Sequence, residues 1–246
     1  MKILAIGGGE LRERETLPLD QEMVRMTGKT HPRAIFVPTA SGDSLEYWEA
    51  FRSVYEADLG CDVDVLLVAG AAAPDGADEK ISAADLVYVG GGNTKEMLET
   101  WRRKGVDVAL RRAGETGTVL GGVSAGAICW FSYGNSDAPR FEGRTDVQTC
   151  RVDGLGFVEG TLCPHTVREE MRTGDFQEMM RDTPGVGLGV DDLCGIQISD
   201  SRYRVLSAGA GAGLHKVRWV GGEYRHEFVA AHDDWRDLPS LLTWQG

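Results

Sequence analysis

The residues with the clearest chemical use are Gly122-Val123-Ser124-Ala125-Gly126, a G-x-S-x-G pattern set between two apolar runs. A strand before it and a helix after it force a sharp turn at the serine and lift the hydroxyl clear of the sheet edge. The helix start behind the serine supplies unpaired N–H groups and the positive end of a helix dipole, and both favour a developing oxyanion. Without that context the same residues are a glycine-rich turn with an N-capping serine. The strand-to-helix setting favours a nucleophile at Ser124.

A serine nucleophile needs a base, and the chain has five histidines. His31 precedes a proline, and His215, His226 and His232 fall in a C-terminal stretch of strand-like pattern. His165 ends the short apolar run Thr161-Leu162-Cys163-Pro164, where a strand gives way to a loop, and is the best choice as general base. An acid should orient the imidazole. Asp137 lies between the serine and His165, in Ser136-Asp137-Ala138-Pro139, where turn chemistry also accounts for it. Asp191 and Asp192 compete, since they follow the apolar run Val186–Val190; Glu142, Asp146 and Asp153 are weaker competitors.

A second informative loop is Gly90-Gly91-Gly92-Asn93-Thr94, where an apolar strand runs into glycines and then a helix start. Such a loop lets a backbone approach a ligand closely. In a hydrolase an N–H of Gly91 or Gly92 pairs with that of Ala125 as an oxyanion hole. Gly7-Gly8-Gly9 reads as a tight turn, because Arg12 stands where a dinucleotide fingerprint needs its third glycine. Cys163 and His165 are two apart with no further ligand at metal spacing, so neither a metal nor a cofactor is expected. Trp48, Trp101 and Trp130 sit in helical patterns as core or lid residues.

The elements that must position these groups alternate between short apolar runs and amphipathic stretches, the pattern of an α/β fold with a largely parallel sheet flanked by helices. Strands are predicted at Lys2–Ile6, Ala34–Val37, Asp62–Val68, Leu86–Val89 and Thr118–Leu120. Helices are predicted up to Met26, over Ser44–Leu59 with Leu45, Trp48, Phe51, Val54 and Tyr55 on one face, from Thr94, over Val106–Glu115 and over Ala125–Phe131. Gly70–Gly76 reads as a loop, Ser132–Gly160 as irregular polar chain, and the residues after His165 as helix to about Arg181. The C-terminal part is predicted to be a β-hairpin region: Cys194–Ile198, Tyr203–Ser207, Gly213–Val220 and Glu223–Val229, with a turn at Gly221-Gly222 and a short helix near Trp235–Leu242. No low-complexity linker or repeat divides residues 1–246, which read as one α/β domain.

Composition excludes several function classes. The 26 Lys and Arg against 38 Asp and Glu leave a net charge of −12, which repels nucleic-acid phosphates. No run of 18 apolar residues predicts a membrane span, and MKILAIGGGE reads as a first strand rather than a signal peptide. Five scattered cysteines without CxxC spacing read as reduced thiols of a cytoplasmic protein.

Taken in order, Val89-Gly90-Gly91-Gly92-Asn93-Thr94, Ser124-Ala125-Gly126-Ala127 and Pro164-His165 resemble the peptidase E (aspartyl dipeptidase) family of serine peptidases, whose wider relatives include the cyanophycinases. Ile6-Gly7-Gly8-Gly9-Glu10, Pro38-Thr39-Ala40-Ser41 and Ala127-Ile128-Cys129-Trp130-Phe131 extend the resemblance over nearly the whole chain. The resemblance implies a class I glutamine amidotransferase-like (flavodoxin-like) fold with serine in place of cysteine. It implies Ser124 as nucleophile and His165 as base. Ser136-Asp137-Ala138-Pro139 matches the family's Asn-Asp-x-Pro stretch with one change, which makes Asp137 the implied acid. Other branches use a glutamate, and where one often follows the Trp-Phe pair this chain has Ser132.

The implied substrate is a short peptide, with dipeptides carrying an N-terminal Asp as the leading case. An Asp side chain calls for a cation, and Arg140, Arg144, Arg151, Arg168 and Arg172 are the candidates. A cyanophycinase-like amide or isopeptide hydrolase is the enzymatic alternative. A non-catalytic module binding an acidic small ligand on the same scaffold is the other. A homodimer suits the fold, although no stripe of residues marks an interface.

Overall fold

The computed structural model describes residues 1–70, 76–146, 148–166 and 170–244, with backbone alone at 170–171. The first half runs β1 (Lys2–Ile6), α1 (Leu17–Met26), β2 (Arg33–Val37), α2 (Leu45–Arg52), β3 (Asp62–Val65), α3 (Ala77–Ser82) and β4 (Leu86–Val89). It continues through α4 (Thr94–Lys104), α5 (Val106–Thr116), β5 (Val119–Val123) and α6 (Ala125–Ile128). Then come β6 (Phe131–Ser136), α7 (Ala138–Phe141), β7 (Cys150–Asp153), β8 (Val158–Pro164), α8 (Glu170–Met179) and β9 (Gly187–Val190). The chain closes with β10 (Cys194–Ser199), β11 (Arg202–Ser207), β12 (Gly213–Val220), β13 (Glu223–Ala230), β14 (Arg236–Asp237) and α9 (Leu238–Leu242).

These strands form two mixed sheets rather than one largely parallel sheet. The first has the order β14-β11-β10-β1-β5-β4-β2-β3, and the second β13-β12-β9-β8-β6-β7. Strands β1, β5, β4, β2 and β3 are mutually parallel, as the alternation of strands and helices predicts. Strand β10 then pairs antiparallel with β1, and β11 and β14 extend that edge. In the second sheet β6, β8 and β9 run parallel and the other pairs run antiparallel. The C-terminal strands include two hairpins, β10–β11, turning at Asp200 and Ser201, and β12–β13, turning at Gly221 and Gly222 with φ of 60° and 86°, but they are not a separate region, because the first pair joins the first sheet and the second pair joins the second.

Three local departures have physical causes. The helix expected through Phe131 stops after Ile128, because Phe131–Ser136 pairs with β8 and β7 and the buried Trp130 and Phe131 are needed in the core. The polar stretch 132–160 consequently holds parts of three strands. The helix expected over Ser44–Leu59 is α2 followed by a wider π-type turn, Ser53–Asp58. Ala50 and Phe51 of α2 and Val54 and Tyr55 of that turn are buried, while Leu45, at the start of α2, is 66% exposed. Helix α3 lacks a strong apolar stripe and buries Ile81 alone, which is why its residues carried no helical signal. Most of the expected Gly70–Gly76 loop lies outside the described residues.

The core follows this layering. Phe36 of β2 stacks on Phe51 with ring centroids 4.8 Å apart, and Phe51 stacks on Tyr55 at 4.2 Å, which anchors α2 to one face of the first sheet. Trp101 of α4 and Trp130 are fully buried on the other side, in a cluster containing Val89 of β4 and Leu162, Leu188 and Val190 of the second sheet. Each such side chain contributes roughly 1.5–3 kcal/mol on burial, so the two sheets hold each other through one apolar layer. The described cysteines are all free thiols, and four of them are buried. No helix among the described residues is long and apolar enough to cross a membrane.

Candidate active site

Strands β5 and β1 of the first sheet and β8 and β9 of the second end at the same place, and the loops that follow them carry the polar groups. After β5 the backbone turns at Ser124, whose φ of 55° and ψ of −111° lie outside the regions open to L-residues without strain. Two contacts hold that turn. The Ser124 N–H donates to Ile6 O at 3.0 Å, and Ser124 O accepts from the N–H of Ala127 and of Ile128, both at 2.9 Å. Gly122 and Gly126 lie so close to Val89 O that a Cβ at either would collide with it. The glycines of the pattern let the elbow seat against β4, and the seated elbow fixes the Ser124 hydroxyl.

His165 follows Pro164 at the end of β8, again with a positive φ of 59°. Its Nε2 lies 3.0 Å from Ser124 Oγ, and its Nδ1 lies 2.7 Å from Asp192 Oδ1. Serine, imidazole and carboxylate thus form one hydrogen-bonded chain. With Nδ1 donating to the carboxylate, Nε2 is the acceptor for the serine proton.

Asp192 rather than Asp137 therefore stands beside the histidine. In the second sheet β8 lies between β6 and β9, so an acid follows the strand on each side of His165. The imidazole bonds to the β9 side. Asp137, after β6, faces Arg172 Nη2 at 3.9 Å and Arg140 Nη1 at 4.0 Å instead. Asp191, the other competitor, is 2% exposed and takes hydrogen bonds from Thr166 Oγ1 at 2.6 Å and Gly213 N–H at 2.9 Å, with His215 Nε2 at 3.1 Å. Burial alone would raise the Asp191 pKa, but these partners hold it below the usual carboxylate range. Asp191 braces the loop in which Asp192 sits.

Gly7-Gly8-Gly9 is more than a tight turn. A Cβ on Gly8 would strike both Asp192 Oδ1 and His165 Nδ1, so the His165–Asp192 pair lies directly over that glycine. Gly8 O also accepts the N–H of Leu193 at 2.9 Å, and Leu193 is a further non-glycine residue at positive φ (61°). The signal for Asp192 was an apolar run ending in a polar residue, the same pattern that singles out His165. The glycine run after β1 marks Gly8 only as part of a turn, since its place against the His165–Asp192 pair depends on residues far away in the chain.

A cleft of about 560 Å³ opens over Ser124 and His165. Its walls include Gly9–Glu13, Ser44, Glu46, Tyr47, Ala50, Gly91 and Val123. Gly91 is at the site as expected: a Cβ placed there would lie 3.4 Å from Ser124 Cβ. Its N–H, however, points to the Tyr47 hydroxyl at 3.4 Å. Gly92, with φ of 136°, packs against the backbone of Ala40 and Ser41 and does not line the cleft. Ala125 follows Ser124 as the first residue of α6, where helical geometry leaves its N–H without an intrahelical acceptor.

The arginines expected to meet a substrate carboxylate lie elsewhere. Arg144 pairs with Asp146 at 2.8 Å, Arg151 lies over the Tyr133 ring, and Arg172 is buried against Asn135. None of these, nor Arg140, lines the cleft, and Arg168 lies outside the described residues. Among the described lining residues Arg12 is the one arginine or lysine, and it is paired with Glu46 at 2.8 Å; Glu10 and Glu13 add negative charge. The described residues contain no group of three or more His, Cys, Asp or Glu side chains that could hold a metal ion.

Residues 3–206 match the model of peptidase family S51. The chain belongs to that family. It is 33% identical over 221 residues to the uncharacterized peptidase YgaJ of Bacillus subtilis, covering 88% of this chain and 91% of that one. It is 26% identical over 200 residues to peptidase E of a Nostoc species, covering 76% and 77% of the two chains. Its fold matches the crystal structure of a peptidase from an acI-B1 Actinobacterium with a TM-score of 0.71 over 96% of each chain, at 18% identity. The S51 match accounts for the resemblance to peptidase E read from the glycine loop, the serine elbow and Pro164-His165, and it makes this chain a peptidase.

Proposed function

We propose that this S51 member is a serine peptidase acting on short peptides, with Ser124 as nucleophile, His165 as general base and acid, and Asp192 as the orienting carboxylate. The observation that carries the reading is the unbroken hydrogen-bonded line from Ser124 Oγ through both imidazole nitrogens to Asp192. In this mechanism Ser124 Oγ attacks the peptide carbonyl while Nε2 takes its proton. Asp192 holds Nδ1–H and so keeps Nε2 the basic nitrogen. The Ala125 N–H faces the oxyanion of the tetrahedral intermediate. His165 returns the proton to the leaving amine, and water, activated in the same way, releases the acyl group. No metal or cofactor takes part in these steps. A class I glutamine amidotransferase-like core with serine in the cysteine position and a cytoplasmic location belong to the same reading.

The cleft's charge bears on the substrate. Arg12 is already engaged by Glu46, and Glu10 and Glu13 face a bound peptide without a matching cation in the described lining. That lining suits the free ammonium of a short peptide better than the carboxylate of an N-terminal Asp.

The test is labelling with a fluorophosphonate probe and peptide mapping, with Ser124→Ala and His165→Ala as controls, followed by a dipeptide panel with Asp-X, Ala-X and Lys-X members. The expected result is labelling at Ser124 that depends on His165, and loss of roughly 10³–10⁶-fold in kcat in Ser124→Ala. Full activity in that variant would overturn the assignment. Hydrolysis confined to Asp-X would overturn the reading of the cleft's charge and leave the nucleophile intact.

A further inference from the structure

We infer that the Tyr47 hydroxyl is a hydrogen-bond donor to the reacting carbonyl oxygen, opposite the Ala125 N–H, in the place otherwise expected for a glycine N–H. The inference rests on the serine-peptidase reading above and adds a catalytic residue to it.

Tyr47 is held rigidly at the cleft wall. It lies in the first turn of α2, where Ser44 Oγ accepts its backbone N–H at 3.2 Å. Its ring packs edge-on against Phe36, with centroids 5.0 Å apart and an interplanar angle of 64°. A Cβ on Gly90 would come within 2.8 Å of the Tyr47 ring, so the glycine loop gives the ring its seat. Ring and serine line the same cleft, and Gly91, whose N–H reaches the phenol oxygen, is also the residue beside Ser124.

The direction of the hydrogen bonds decides what the phenol can do. Gly91 N–H donates to the Tyr47 oxygen, so the hydroxyl hydrogen is turned away from Gly91. Among the described residues no acceptor takes it. Burial and the negative charge of Glu10 push the phenol pKa up to about 12, which keeps the proton on the oxygen at any working pH. A neutral donor, already polarised by the Gly91 N–H, therefore borders the cleft in which the substrate carbonyl must sit. A chain of N–H to O–H to oxyanion strengthens as charge develops, so its contribution is greatest in the transition state.

Tyr47→Phe keeps the ring and removes the donor. We expect a thermal midpoint close to that of the wild type. We also expect kcat to fall about 10²–10³-fold, and labelling of Ser124 by the fluorophosphonate to slow with it. KM should change by less than about threefold, the signature of an interaction made in the transition state. Wild-type kcat and labelling rate in Tyr47→Phe overturn the inference while leaving Ser124 as nucleophile. A raised KM at unchanged kcat overturns it as well, since the phenol would then serve ground-state binding alone. Absence of Ser124 labelling in the wild type overturns the serine-peptidase reading and this inference with it.

Discussion

At the residue scale the question of the acid is decided by which neighbour of His165 its Nδ1 faces. Asp192 Oδ1 lies 2.7 Å from Nδ1, whereas Asp137 faces Arg172 and Arg140. An imidazole without its carboxylate adopts the wrong tautomer part of the time and loses the partner that stabilises its charged form. Asp192→Asn should therefore lower kcat by about 10⁴-fold with little effect on the thermal midpoint, while Asp137→Asn should stay within about tenfold of wild type. Steady-state kinetics on one dipeptide separate the two, and the reverse ranking would reinstate Asp137. Both aspartates were legible as candidates, Asp192 from its place after the apolar run Val186–Val190 and Asp137 from its place between Ser124 and His165 and its match to the family's Asn-Asp-x-Pro stretch. Choosing between them needed the arrangement of β6, β8 and β9, because a strand's sequence carries its own alternation and not the identity of its neighbours.

Among the elements, the β1–α1 loop shows how two adjacent glycines serve different ends. A Cβ on Gly7 would meet backbone atoms of Val190 and Asp191, which cannot move without displacing the end of β9. A Cβ on Gly8 would meet the side chains of His165 and Asp192, which can swing away at the cost of their geometry. Gly7→Ala should lower the thermal midpoint, and Gly8→Ala should leave it nearly unchanged while reducing kcat at least about 100-fold through misplacement of the base. Melting curves and kinetics on the pair check this; a Gly8→Ala enzyme of wild-type activity would show that the pair tolerates a methyl group. The short helix α6 and the strand β6 behind it make a related point. Trp130-Phe131 reads as a helix continuing from Ser124, yet the buried pairing of β6 with β8 outweighs that local preference.

For the whole molecule, one buried carboxylate bears on how stability varies with pH. Asp20 of α1 is fully buried, accepting hydrogen bonds from Thr16 Oγ1 and Tyr55 Oη at 2.8 Å each. Desolvation outweighs those bonds and raises its pKa to about 6. The folded state thus holds a proton between pH ~4 and ~6 that the unfolded chain, with an aspartate pKa of about 3.9, has released. The unfolded state binds fewer protons over that window, so this group's contribution to stability falls as pH rises through it, by roughly 3 kcal/mol in all. Thermal melts from pH 4.5 to 7.5 should show a flatter profile in Asp20→Asn than in the wild type; parallel profiles would mean that Asp20 ionises as an ordinary aspartate.

The serine elbow, the histidine, the glycine loop and the strands β1 to β5 with their alternating helices were legible in the amino-acid order, since each is written in local spacing: small residues at a turn, apolar runs of strand length, a polar residue at a strand's end. Packing set the strand order β1-β5-β4-β2-β3, placed β10, β11 and β14 on its edge and β8 and β9 in a second sheet, brought Asp192 from the β9–β10 loop to His165, and put Gly8 and Tyr47 beside that pair and the serine. Those facts depend on pairings and contacts between residues tens to nearly two hundred positions apart, which total burial and strand pairing select and no local pattern records.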